Sequence, residues 1–176
     1  MTELRDHAIP ASVLVASFLA EGVDYVTTVP DFVQISLHSA LVDHDDVDVV
    51  LCANENQALT SAFGLTIGGK NPLVVMQNQG LLNCLNTLRS VSLDAGFPFM
   101  LCVGQFGREF STLGGDPNAS RRNCVNKVEP VLEALGLPYW RLESEADLGN
   151  IADAFSSARK RQGTSVLLVG AYTSWN

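Results

Sequence analysis

The chain has 176 residues, 47% hydrophobic and 17% charged, with a formal net charge of −8 and a pI near 4.7. That length predicts a single domain, 1–176, with one sizeable core. The acidic balance argues against nucleic acid and anionic membrane surfaces as partners, and the high apolar fraction predicts surface that another protein covers. The opening segment Met1 to His7 is polar, and the apolar stretch after it is broken by Glu21 and Asp24, so neither a signal peptide nor a membrane span fits and a cytoplasmic protein is expected. Cys52, Cys84, Cys102 and Cys124 lie far apart with no C-x-x-C pair or neighbouring histidine, which predicts reduced thiols and no metal site.

In chain order, Pro10, Val13, Leu14, Phe18 and Leu19 predict a first helix that stops near Gly22. Tyr25 to Val29 is a β-branched run ending at Pro30-Asp31, and Val33, Leu37 and Leu41 resume a helical stripe. Val47 to Leu51 reads as a second buried strand. A helix over 54–69 follows, with Leu59, Phe63 and Ile67 on one face and Gly68-Gly69 closing it. Leu73 to Met76 is a third strand, which leads through Gln77-Asn78-Gln79-Gly80 into a helix carrying Leu81, Leu85 and Leu88. A fourth strand spans 98–103 and precedes a polar, glycine-rich stretch over 104–127. The chain closes with a helix at 129–135, a strand at 138–142, a helix through Leu148, Ile151, Ala152 and Phe155, and a strand at 165–169. Apolar strands alternating with amphipathic helices predict an α/β three-layer sandwich with a mainly parallel sheet of about six strands. The stretch over 104–127 is longer than the roughly 12–15 residues of ordinary irregular loops and is expected to belong to a site.

Ligands of open α/β sheets gather beyond the carboxyl ends of the strands. The residues there are Pro30, Asp31 and Gln34; Asn54, Glu55 and Asn56; Gln77, Asn78 and Gln79; and Gln105, Arg108 and Glu109. Glu55 has two readings: an acidic first-turn residue behind an Asn54 N-cap, or a carboxylate beside an apolar strand that shares a proton. The amides of Gln77, Asn78 and Gln79 read either as a polar turn or as a grip on a heterocycle or carboxylate, with Gly80 permitting close approach. Asp31 is equally an N-cap or a substrate-loop carboxylate. Arg108, Arg121, Arg122 and Lys127 are the cations in or beside the long loop. Arg108 is the preferred contact for an anionic substrate. His7, His38 and His44 lie apart and read as structural or surface groups. No G-x-G-x-x-G or G-x-x-x-x-G-K-[ST] pattern is present, which argues against a dinucleotide or nucleoside-triphosphate fold.

Taken together, Val29-Pro30-Asp31, Ala53-Asn54-Glu55-Asn56-Gln57-Ala58, Met76-Gln77-Asn78-Gln79-Gly80-Leu81 and Leu132-Glu133-Ala134-Leu135-Gly136-Leu137-Pro138-Tyr139 resemble the sulfopyruvate and phosphonopyruvate decarboxylases. The resemblance implies a thiamine-diphosphate-enzyme pyrimidine-binding domain, with Glu55 as the catalytic glutamate that hydrogen-bonds the aminopyrimidine. Pro30 and Asn78 would join it at the cofactor, while Asp31, Gln77, Asn78, Gln79 and Arg108 would meet an anionic 2-oxoacid. In that family a second domain carries a Gly-Asp-Gly motif that holds magnesium and the diphosphate. This chain lacks the motif, so the resemblance implies a separate β subunit and an α/β hetero-oligomer with repeated subunits. The expected reaction is decarboxylation of 3-sulfopyruvate to sulfoacetaldehyde. The alternatives are the phosphonopyruvate reaction, with phosphonoacetaldehyde as product, or a non-catalytic module of the same fold.

Overall fold

The computed structural model describes residues 7–175; the polar segment Met1 to Asp6, on which the expectation about targeting rests, lies outside them. Six strands, β1 (Tyr25–Thr28), β2 (Asp48–Leu51), β3 (Pro72–Gln77), β4 (Met100–Gly104), β5 (Tyr139–Leu142) and β6 (Ser165–Val169), form one sheet. Their order is β2-β1-β3-β4-β6-β5, and every neighbouring pair is parallel. The helices are α1 (Ala11–Ala20), α2 (Ile35–Val42), α3 (Glu55–Ile67), α4 (Asn78–Asn83), α5 (Leu85–Leu88), α6 (Asn123–Asn126), α7 (Val128–Ala134) and α8 (Gly149–Arg161).

Successive strand side chains point to opposite faces, so the buried central strands feed two separate cores. Leu73 and Val75 of β3, Met100 and Cys102 of β4, and Leu167 and Val169 of β6 face α1, α2 and α8 through Leu14, Phe18, Leu37 and Phe155. Val74, Met76, Leu101, Val103, Val166 and Leu168 face the other way, against Leu59 of α3, Leu81 of α4 and Leu132 of α7. Fully buried strands of this kind need apolar residues at every position, which is why they read as unbroken apolar runs.

Three expectations change. Residues 47–51 do not form a buried strand: β2 is the sheet edge, and Val50 and Leu51 are exposed, Leu51 by 65%. On α3 the buried residues are Ala58, Leu59 and Ala62, whereas Ile67 faces outward. The helix after β3 breaks at Cys84 and again into a π-helical turn, Arg89–Asp94, so its buried seam is Leu81, Cys84 and Leu88. An apolar residue fits a sheet edge that awaits a partner as well as it fits a core, and periodicity alone does not separate the two.

Candidate active site

The chain leaves β1 through α2 to reach the edge strand β2, then returns on the opposite face through α3 to β3, next to β1. This reversal opens a crevice beyond the carboxyl ends of β1 and β3, the place where open α/β sheets bind ligands. The crevice holds a cavity of about 570 Å³ lined by Pro30, Asp31 and Gln77 together with Phe32, Ile35, His38, Ser39, Val42 and Trp175. Phe32, Ile35, Val42 and Trp175 are exposed, giving it an apolar rim. Trp175 arrives there because the tail after β6 is stitched down: Thr173 N donates to Val33 O at 3.0 Å and Ser174 N to Ile9 O at 2.9 Å. The sequence reading missed these wall residues, as well as His38, whose Nε2 lies 2.9 Å from Thr28 Oγ1. An apolar residue in a loop signals its role only once the fold places it on a rim.

Glu55 is the first residue of α3. Asn54 caps the helix, its Oδ1 accepting from Gln57 N at 3.0 Å, and Gln57 Oε1 accepts from Ala53 N at 2.8 Å. Those bonds satisfy the Gln57 amide of the first turn and the Ala53 amide before the cap without Glu55. Its half-buried carboxylate has no hydrogen-bond or ion-pair partner among the described residues and packs over Gly80 of α4. A Cβ on Gly80 would stand 2.3 Å from Glu55 Cγ and Oε1, so only glycine leaves room for this side chain. Cys84, one turn further on, is a buried thiol whose pKa is pushed up to about 12, first by burial and then by the charge of Glu55.

The amide turn divides its labour. Gln77 lines the large cavity and its Nε2 donates to Gln79 Oε1 at 2.5 Å, with Gln79 exposed. Asn78 is fully buried, and its Nδ2 donates to Phe106 O at 3.0 Å and Cys124 O at 2.6 Å while its Oδ1 accepts from Gln79 N at 2.9 Å. With its donors engaged in this way, Asn78 ties the long loop to the end of β3.

Arg108 is buried and paired within the chain. Its side chain is 1% exposed, and Nη2 donates to Glu143 Oε1 at 3.0 Å, to Thr112 O at 2.6 Å and to Gly115 O at 3.2 Å. Glu143 also accepts from Gly114 N at 2.5 Å. This buried pair clamps the long loop to the end of β5 through Nη2, while Arg108 Nε and Nη1 have no hydrogen-bond partner among the described residues. A scarce cation in a polar loop looks the same in sequence whether its partner is a ligand or a distant glutamate.

Asp31 is 2% exposed, and burial raises its carboxyl to about 6 despite opposing hydrogen bonds from Gln34, Val33 N and Gly104. A pKa higher in the fold than in the unfolded chain stabilises the fold fully below the unfolded value. That contribution is lost as pH rises through about 6. The ionised form should therefore cost on the order of 2–3 kcal/mol at pH 8 relative to pH 4. Urea titrations at both pH values should find this loss in the wild-type chain and a flatter profile in Asp31→Asn; identical profiles in the two proteins would show that Asp31 does not titrate between them.

Residues 11–121 match the family of the thiamine pyrophosphate enzyme N-terminal TPP binding domain, well over half of the chain, and the protein belongs to that family. Its six-stranded parallel sheet, with helices on both faces, is the pyrimidine-binding α/β fold of those enzymes. Two curated relatives bear the name sulfopyruvate decarboxylase subunit alpha. The one from Methanothermobacter thermautotrophicus is 26% identical over 156 residues, covering 86% of this chain and 90% of the relative. The one from Methanococcus maripaludis is 28% identical over 91 residues, 52% of this chain, and the match spans about half (54%) of that relative's length.

Proposed function

We propose that this chain is the pyrimidine-binding subunit of a thiamine-diphosphate-dependent decarboxylase acting on 3-sulfopyruvate, with Glu55 as its catalytic residue. The observation that carries this reading is the Glu55 carboxylate, without a partner among the described residues, seated over Gly80 at the carboxyl end of the sheet. Such a group fits the cofactor, because a carboxylate free of internal bonds can accept a hydrogen bond from a protonated ring nitrogen and return the proton. Pro30 and Gln77 would wall the space beside it. Bound there, thiamine diphosphate would supply the electron sink for loss of carbon dioxide from a 2-oxoacid. Glu55 would hold and move a proton at the aminopyrimidine ring, and Phe32, Ile35 and Trp175 would border the cavity next to Pro30 and Gln77.

The reading includes a second subunit that holds the diphosphate and magnesium. It is supported by the names of the two relatives and by exposed apolar residues at the site end, Phe32 at 59% and Leu51 at 65%. The test mixes this chain with a subunit carrying the Gly-Asp-Gly motif, thiamine diphosphate and magnesium. The expected results are calorimetric cofactor uptake that requires both chains, and release of sulfoacetaldehyde from 3-sulfopyruvate in preference to phosphonoacetaldehyde from phosphonopyruvate. Absence of uptake by any such mixture would instead indicate a non-catalytic module. In the active complex, Gly80→Ala should lower kcat about 100-fold, because the added methyl displaces the tip of Glu55, with an unchanged circular dichroism spectrum.

A further inference from the structure

A second cavity, of about 230 Å³, lies within the long loop beside the crevice. Phe106, Phe110 and Tyr172 form its aromatic wall, and Phe32 links it to the large cavity, its ring centroid 6.3 Å from Phe106 and 5.8 Å from Tyr172. The polar groups here are Arg108, Glu109 and Arg122. Arg108 is held through Nη2 by Glu143, with its buried Nε and Nη1 unbonded among the described residues, and Glu109 Oε1 accepts from Ser120 Oγ at 3.0 Å and Arg121 N at 3.3 Å. The Arg122 guanidinium has no hydrogen bond or ion pair among the described residues; the nearby Glu109 carboxylate feels its charge only at a distance.

The backbone is shaped around that side chain. Gly107 adopts φ +91°, and a Cβ there would come within 2.9 Å of Arg122 Cδ and 3.3 Å of its Nη1. Asn78 fixes Phe106, in the cavity wall, and Cys124, two residues beyond Arg122, because it bonds Phe106 O and Cys124 O from the turn that also seats Glu55. A guanidinium laid over a glycine, with open space before it and no hydrogen bond or ion pair among the described residues, suits a planar or tetrahedral oxyanion.

Resting on the decarboxylase reading, we propose that Arg122 is the specificity-determining residue that receives the anionic head group of the substrate, a sulfonate or phosphonate. The site is built by Asn78 and Gly107, and the head-group function that sequence reasoning gave to Arg108 falls to Arg122.

The test has two independent readouts. In the full chain, titration with sulfoacetate and separately with phosphonoacetate should move the Nε–Hε resonance of Arg122, and the head group that binds more tightly identifies the preferred oxyanion. In the complex with its partner subunit, Arg122→Gln should raise KM for the preferred substrate roughly 10- to 100-fold with kcat nearly unchanged, and Arg122→Lys should recover part of the loss. Arg121→Gln removes the same charge from an exposed neighbour outside the cavity and should leave KM unaltered. An unmoved Arg122 resonance with both acids, or equal KM changes in the Arg121 and Arg122 variants, would overturn the proposal. A wild-type complex that decarboxylates neither substrate while Arg122 still answers to sulfoacetate would overturn the decarboxylase reading and leave the anion site standing.

Discussion

Replacing Glu55 by glutamine in the reconstituted complex is expected to lower kcat by roughly 10²- to 10⁴-fold, the span typical of losing a positioned proton-transfer group. The structure separates this effect from folding. The helix cap is made by Asn54 and Gln57, and Glu55 contributes no hydrogen bond to it. Thermal stability should therefore change by no more than the roughly 0.3–1 kcal/mol of a first-turn carboxylate on the helix dipole. Glutamine keeps the shape and can still accept a hydrogen bond, but it cannot take up a proton, so cofactor uptake should survive where turnover does not. Single-turnover assays and calorimetry on one preparation make the distinction. Full turnover by Glu55→Gln would remove Glu55 from the chemistry.

The largest expected effect on stability is at Arg108. Arg108→Ala leaves Glu143 buried, 7% exposed, with the Gly114 amide its one remaining hydrogen-bond donor among the described residues, and breaking a buried pair from one side typically costs about 3–5 kcal/mol. Urea denaturation should show a correspondingly lower midpoint. Because the pair also closes the loop over 104–127, limited proteolysis should cut that loop first. The double variant Arg108→Met with Glu143→Leu should regain most of the loss, since the unpaired charge is then gone. If Arg108→Ala unfolds at the wild-type midpoint yet raises KM for an anionic substrate, Arg108 contacts substrate after all and the assignment to Arg122 fails with it.

These two residues show where sequence and structure part. The place of Glu55 at the start of its helix was legible because its signals are local: a cap, an acidic first turn and a preceding strand occupy adjacent positions. The tie from Arg108 to Glu143 was not legible because its partner is 35 residues away, and no pattern near Arg108 marks a guanidinium bound for Glu143. Arg122 shows the reverse case, an ordinary surface cation in sequence that acquires a cavity once Asn78 draws residues 106 and 124 together.

The sequence by itself determined the order and kind of the main elements, the parallel α/β class and the loops that carry the polar groups. Those follow from periodicity and capping, which act over a few residues. Only the tertiary structure decided that β2 is an exposed edge, that Phe32, Ile35 and Trp175 wall the crevice, and that Arg108 pairs with Glu143 while the Arg122 guanidinium has no bond among the described residues. Burial and ion pairing are properties of distant segments brought together, so no local pattern encodes them.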